Sequence, residues 1–164
     1  MSSVNVQNVT VHNHSEITAN GDWALVELVT QANASDIEVG IVLNFSGVLL
    51  EGTLVGGARY FAEMKRQISA SEMTGTPLHS SLIDIAEKGE STYNAIIAGG
   101  GTRPPEYLHL ISAHFVSASG EVGSTVLSSW RGKISDVSGF HLHIGKAPSA
   151  SHALTASRVR PGES

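Results

Sequence analysis

The stretch IEVGIVLNFSGVLLEGTLV, residues 37–55, decides how this chain is read. Ile37, Val39, Ile41, Leu43 and Phe45 recur at every second position, with Glu38, Gly40 and Asn44 among the residues between them. That is the period of a strand with one buried face. Ser46-Gly47 interrupts the alternation with a tight-turn pair, and Val48 to Val55 returns as a second strand, so the whole reads as a hairpin. Gly52 in the return strand marks a bulge or a strong bend, where a side chain would obstruct a curving sheet.

Upstream, the period is helical. Leu25, Leu28, Val29 and Ala32 form one apolar stripe behind Asp22, whose carboxylate can accept the free N–H groups of a first turn. A helix over 23–33 is expected. Downstream, Gly56-Gly57 ends the hairpin, and Phe61, Met64 and Ile68 resume helical spacing. A second helix in this insertion has Thr76 as cap, Pro77 at a position needing no N–H, and Gly89 as a left-handed stop. Its expected buried face is Leu78, Leu82, Ile85 and Ala86. A loop through Gly99-Gly100-Gly101 and Pro104-Pro105 follows.

From Glu106 the pattern is β again. Tyr107 to Val116 and Gly123 to Arg131 read as strands around Ala118-Ser119-Gly120, and Lys133 to Val137 and Phe140 to Ile144 flank a Ser138-Gly139 hairpin turn. The fold expected is α+β and mainly β: a small, strongly bent Sm/SH3-like barrel with an N-terminal helix and a helical insertion between strands two and three. The domain spans 21–146 with the insertion over about 57–105. Residues 1–20 and 147–164, polar or rich in Ser and Ala without a sustained period, read as a mobile tail and a disordered tail.

Composition narrows the function. The 164 residues carry a formal charge of −5, against the clustered Lys and Arg of a general nucleic-acid binder. With no cysteine, the chain has no disulfide and no thiolate ligand or nucleophile. Its first residues lack the basic and apolar regions of a signal peptide, and no apolar run approaches a bilayer span, so a cytoplasmic protein that does not enter a membrane is expected.

Each candidate for chemistry has a plain structural reading beside it. His141 and His143 would share one face of a strand as half of a metal site, with His109 or His114 as a third ligand. No carboxylate stands at a diagnostic spacing, and surface histidines are the preferred reading. Gly99-Gly100-Gly101-Thr102 lacks the Gly-Lys-Ser/Thr of a phosphate loop. Ser124 lacks a nucleophile elbow, and Asp84 and Glu87 fall on an exposed helix face. Neither a catalytic residue nor a cofactor follows. Trp130-Arg131-Gly132-Lys133 is the candidate contact patch, because Trp and Arg are enriched where binding energy concentrates.

Trp23–Asn33, IEVGIVLNFSGVLLEGTLVGGARYF (37–61), YLHLISAHFV (107–116) and SSWRGKISDVSGFHL (128–142) resemble the gas vesicle accessory protein GvpU family. The Trp-Arg-Gly-Lys-Ile run followed by Val-x-Gly-Phe is the most specific element, while the second insertion helix and the Gly/Pro loop depart from the family pattern. The resemblance implies a non-enzymatic role in vesicle assembly and clustering, with a gas vesicle or other protein as partner and self-association into a homo-oligomer. A weaker similarity, to Sm-like barrels, rests on helix 23–33, Gly47 with Gly52-Thr53-Leu54, and Arg131-Gly132. It implies RNA binding through Arg131 and Lys133, but Gly56-Gly57-Ala58-Arg59-Tyr60 replaces the base-holding Asp and Asn, so RNA is not the expected partner. Metal binding at His141 and His143 is the remaining alternative.

Overall fold

A computed structural model describes residues 17–18, 21–100, 103–117 and 122–143. Helix α1 (Trp23–Ser35) precedes the hairpin β1 (Val39–Phe45) and β2 (Val48–Val55); helices α2 (Gly57–Ser69) and α3 (Pro77–Ala98) lead into β3 (Tyr107–Val116) and β4 (Val122–Lys133). A 3-10 turn, Ile134–Asp136, delivers the chain to β5 (Val137–Leu142). A two-residue ladder joins Ile17–Thr18 to Gly21–Asp22 ahead of α1.

The five strands form one antiparallel sheet in the order β4-β3-β2-β1-β5. The protein is thus mixed α+β, but the sheet is open: β4 and β5 are its two edges and do not pair with each other. The hairpin turn is as expected, with Ser46 and Gly47 both at positive φ (52° and 87°) and Phe45 opposite Val48. Two such residues match the twist of the flanking strands. At Gly52 the ladder does slip, and the extra residue lies on the neighbouring strand. Ser112, at φ 50°, and Ala113 together oppose this one glycine. An added Cβ at Gly52 would stand 3.1 Å from Ala113 Cα, which is why the bend is written with glycine.

One face of the sheet is the core. Leu25, Val29 and Ala32 of α1 pack there on Ile41, Leu43, Leu50, Leu54, Leu108, Leu110, Ala113 and Ile134. Each fully buried Leu or Ile contributes about 2 kcal/mol. The stripe read from the sequence is the one α1 buries, and its cap forms, with Asp22 Oδ1 accepting from the N–H groups of Ala24 (2.8 Å) and Leu25 (3.3 Å). Asp22→Ala leaves those donors without that acceptor and is expected to lower stability by about 1 kcal/mol, read as a shift in the urea midpoint at unchanged slope.

Four expectations need correction. Ser138-Gly139 is not a turn: both lie inside β5, with Gly139 opposite Asn44 and Ser138 bulged out before Val137 meets Phe45. The reversal is made earlier, by the 3-10 turn, whose buried Ile134 donates its N–H to the carbonyl of Glu106 at 3.0 Å. The second insertion helix begins as expected, Thr76 Oγ1 accepting from the His79 N–H at 3.1 Å with Pro77 next, but it runs past Gly89 to Ala98. Gly89 is there for space, since an added Cβ would lie 2.5 Å from the Phe61 ring of α2. Of the expected buried face only Ala86 is buried; Leu82 is half-buried, and Leu78 and Ile85 stand in solvent because α2 covers the other side of α3. Strand β1 starts two residues later than the alternation suggested, leaving Ile37 exposed. The readings for residues 1–16, 19–20, 101–102, 118–121 and 144–164 lie outside the described residues. Among the described residues no helix is long and apolar enough to cross a membrane.

Candidate functional site

Alternation along β2, β3 and β4 sends Val55, His109 and Arg131 to the face away from the core, where they are cross-strand neighbours. The antiparallel pair α2–α3 covers this end of the face. Two glycines let the rings in: a Cβ at Gly57 would stand 2.3 Å from the Tyr93 ring, and Gly89 makes the same allowance for Phe61. His109 is fully buried as a result, with ring centres of Tyr60, Tyr93 and Phe61 at 4.8, 5.1 and 6.0 Å.

The chemistry of that histidine is set by Arg131. Its Nε donates to His109 Nε2 at 3.2 Å, and since guanidinium can only donate, Nε2 must carry the lone pair and Nδ1 the proton. The Tyr93 hydroxyl also reaches Nε2, at 3.3 Å. The resulting Nδ1–H is buried with no hydrogen-bond partner among the described residues. Burial first, and the charge of Arg131 second, push the His109 pKa down to about 3. A second proton would put a charge into an apolar cage beside a cation. With its lone pair facing two donors, the ring serves as an acceptor that positions Arg131. The guanidinium carbon lies 3.6 Å from the centre of the Tyr107 ring, a cation–π contact.

The tetrapeptide singled out from the sequence is therefore divided by the pleat. Arg131 and the exposed Lys133 belong to the His109 face, and Trp130 and Gly132 to the core face. Trp130 packs edge-on against Phe45, with centroids 4.7 Å apart at 87°. Gly132 is buried beneath both rings, where a Cβ would meet them at 2.3 and 2.7 Å.

Beside the aromatic cluster, a groove of about 690 Å³ opens between the ends of α1 and α3 and the segment leading into β3. Its walls include Thr30, Asn33 and Ala34 of α1, Tyr93, Ile96 and Ile97 of α3, and Pro104, Pro105 and Tyr107. Arg103 and Glu106, paired with each other, stand at its mouth. None of its residues except those of the Gly/Pro loop was conspicuous in the sequence. Their proximity depends on α1 and α3 meeting across the end of the sheet.

His141 and His143 do share the outer face, ring centres 5.8 Å apart. Gly40, opposite His143, leaves room for that imidazole to lean across β1, and its Nδ1 comes within 3.6 Å of Glu51 Oε1. His114 Nε2 stands 3.3 Å from the other oxygen of the same carboxylate. His109 is separated from this trio by its place under the helices. Among the described residues no group of three His, Asp, Glu or Cys side chains is arranged to hold a metal ion.

The molecule is a mixed α+β domain with a groove of mainly apolar lining beside a packed aromatic cluster. Residues 22–145, most of the chain, match the family model described as Gas vesicle protein GvpU-like, and the chain belongs to that family. No curated protein and no solved structure matches it.

Proposed function

We propose that this chain is a gas vesicle accessory protein that acts in the cytoplasm, without an enzymatic reaction, through protein–protein contacts that include self-association. The observation that carries the reading is the family match over 22–145. Two surface features support it. Exposed Ile96 and Ile97 flank a groove large enough for a partner's side chains. Strands β4 and β5 are sheet edges, whose N–H and C=O groups a second chain can pair. We read the bent five-strand sheet as an opened Sm/SH3-like barrel, supported by the N-terminal helix and by the fifth strand returning to the side of the first.

Arg131 and Lys133 belong to the contact surface in this reading, while Trp130 and Gly132 hold their strand in place from the core side. The test is flotation. Purified chain mixed with intact gas vesicles is expected to rise with them under centrifugation, and to be displaced by excess unlabelled chain. Chain that stays in the lower phase at every vesicle concentration would defeat the proposal. Light scattering is expected to give a mass above the 17.2 kDa of one chain at high protein concentration. A compact monomer there removes the self-association part.

A further inference from the structure

The two insertion helices bury little of themselves. Three of the 13 residues of α2 are buried, Gly57, Tyr60 and Ile68, and of the 22 residues of α3 only Ala86. Helix α1, by contrast, sinks Leu25, Val29 and Ala32 into the core. Between themselves α2 and α3 are well joined, through the rings of Phe61 and Tyr93 and through Lys65 with Glu87 and Glu90. Toward the sheet, two contacts stand out. Arg59 meets Glu38 at 3.4 Å, an exposed pair of the kind that contributes little. The other is the seat of Tyr60, Phe61 and Tyr93 on His109.

That seat works against itself. Closing the helices over His109 shuts its Nδ1–H away with no hydrogen-bond partner among the described residues, so the desolvation of that donor is not offset. Few buried apolar contacts together with an uncompensated polar group put a segment at the low end of local stability. The connections allow the pair to move as one piece. Gly56 alone joins β2 to α2, a residue whose dihedral angles change without a Cβ to clash, and residues 99–106 join α3 to β3.

We propose that α2 and α3 form a lid that opens from the sheet as one unit while α1 and the five strands stay folded, and that protonation of His109 favours the open state. The second proton goes to Nε2, whose lone pair accepts from Arg131 at 3.2 Å and faces the Tyr93 hydroxyl at 3.3 Å. It removes that acceptor and sets two cations side by side beneath three rings. The groups facing His109 are Arg131 from β4, Tyr93 from α3, Tyr60 and Phe61 from α2, and Val55 from β2. Of these only Arg131 is charged, and its sign opposes the proton. With the lid open, water solvates the imidazolium and Arg131 is free to turn away. Opening uncovers the outer face of the sheet around His109 and the ring sides of Tyr60, Phe61 and Tyr93, an aromatic surface that the closed form largely covers. The inference does not depend on the partner or the self-association proposed above.

Amide hydrogen exchange of the whole chain, followed peptide by peptide and corrected for the intrinsic rate at each pH, tests both halves. At pH 7.5 the peptides of α2 and α3 are expected to share one opening free energy, well below that of β1 and β2. Equal values for helices and strands mean that they unfold together, and overturn the lid. Separate values for α2 and α3 overturn the single unit. Between pH 7.5 and 5, protection of the lid is expected to fall about thirtyfold, because His109 binds its proton near 6.5 when uncovered and near 3 when covered. In His109→Gln the lid is expected still to open before the sheet, but without that fall. Lid protection that stays constant with pH in the wild-type chain overturns the role of His109 whether or not the variant folds. An equal fall in both proteins overturns it too.

Discussion

Gly56→Ala is expected to destabilise the fold by about 3 kcal/mol, the upper end of what overpacking usually costs. Gly56 is buried at the junction of β2 and α2, and a Cβ there would sit 2.5 Å from the backbone carbonyl oxygen of Ala32 in α1. Neither side can give way easily. The last turn of α1 is fixed by Val29 and Ala32 in the core, and its Asn33 Oδ1 accepts the Gly57 N–H at 2.8 Å, tying the two helices at this point. Backbone has no other rotamer to adopt, in contrast to the rings over Gly132, so Gly132→Ala is the milder change. Urea unfolding measures both. A Gly56→Ala protein within 1 kcal/mol of wild type (roughly the spread of ordinary substitutions) would show that α1 and α2 do not approach as described.

Lowering the pH from 7.5 to 5 is expected to remove about 2 kcal/mol of stability through His109 alone. The sign follows from which state takes the proton first. In the unfolded chain His109 titrates near the ordinary value of 6.5, and in the folded chain near 3. Between those values the unfolded state binds the extra proton and is favoured by it. Stability is therefore complete above about pH 6.5 and falls steadily as pH drops toward 3. His109→Gln keeps an acceptor for Arg131 and cannot titrate. The difference between wild type and this variant isolates the effect from all other groups. Unfolding free energies that fall equally in both proteins between pH 7.5 and 5 would mean that His109 is open to solvent or already charged.

The parts legible in the sequence are those decided within a few residues. Asp22, Thr76 and Pro77 start helices because the groups they satisfy lie one turn away. Ser46-Gly47 turns the chain because two adjacent residues take positive φ. The bend at Gly52 was readable as well, though not that Ser112 and Ala113 would share it, sixty positions on. Ser138-Gly139 misled for the same reason. The pair has turn chemistry, yet β5 is claimed by β1, whose Leu43 faces Phe140 from almost a hundred residues away.

The candidate site was less accessible to that reasoning. His109 carries no local mark to separate it from the other seven histidines, and in the sequence alone it reads as a spare ligand for His141 and His143. Its cage is assembled from α2, α3, β3 and β4, and it closes because Gly57 and Gly89 admit two rings. One division was available beforehand: a strand that includes Trp130 and Arg131 must point them to opposite faces, so the tetrapeptide could not act as a single patch.

By itself, then, the sequence determined where most of the helices and strands lie, the caps at Asp22 and Thr76, the turn at Ser46-Gly47, and the family. Caps and turns depend on hydrogen bonds and dihedral angles within one turn of chain, and the apolar periods on the geometry of a single element. Only the tertiary structure decided that the sheet stays open, that β5 lies beside β1, that one side of α3 is left bare, and that His109 is buried neutral under Arg131. Each of those depends on which distant surfaces meet, because desolvation and close packing act between elements rather than along the chain.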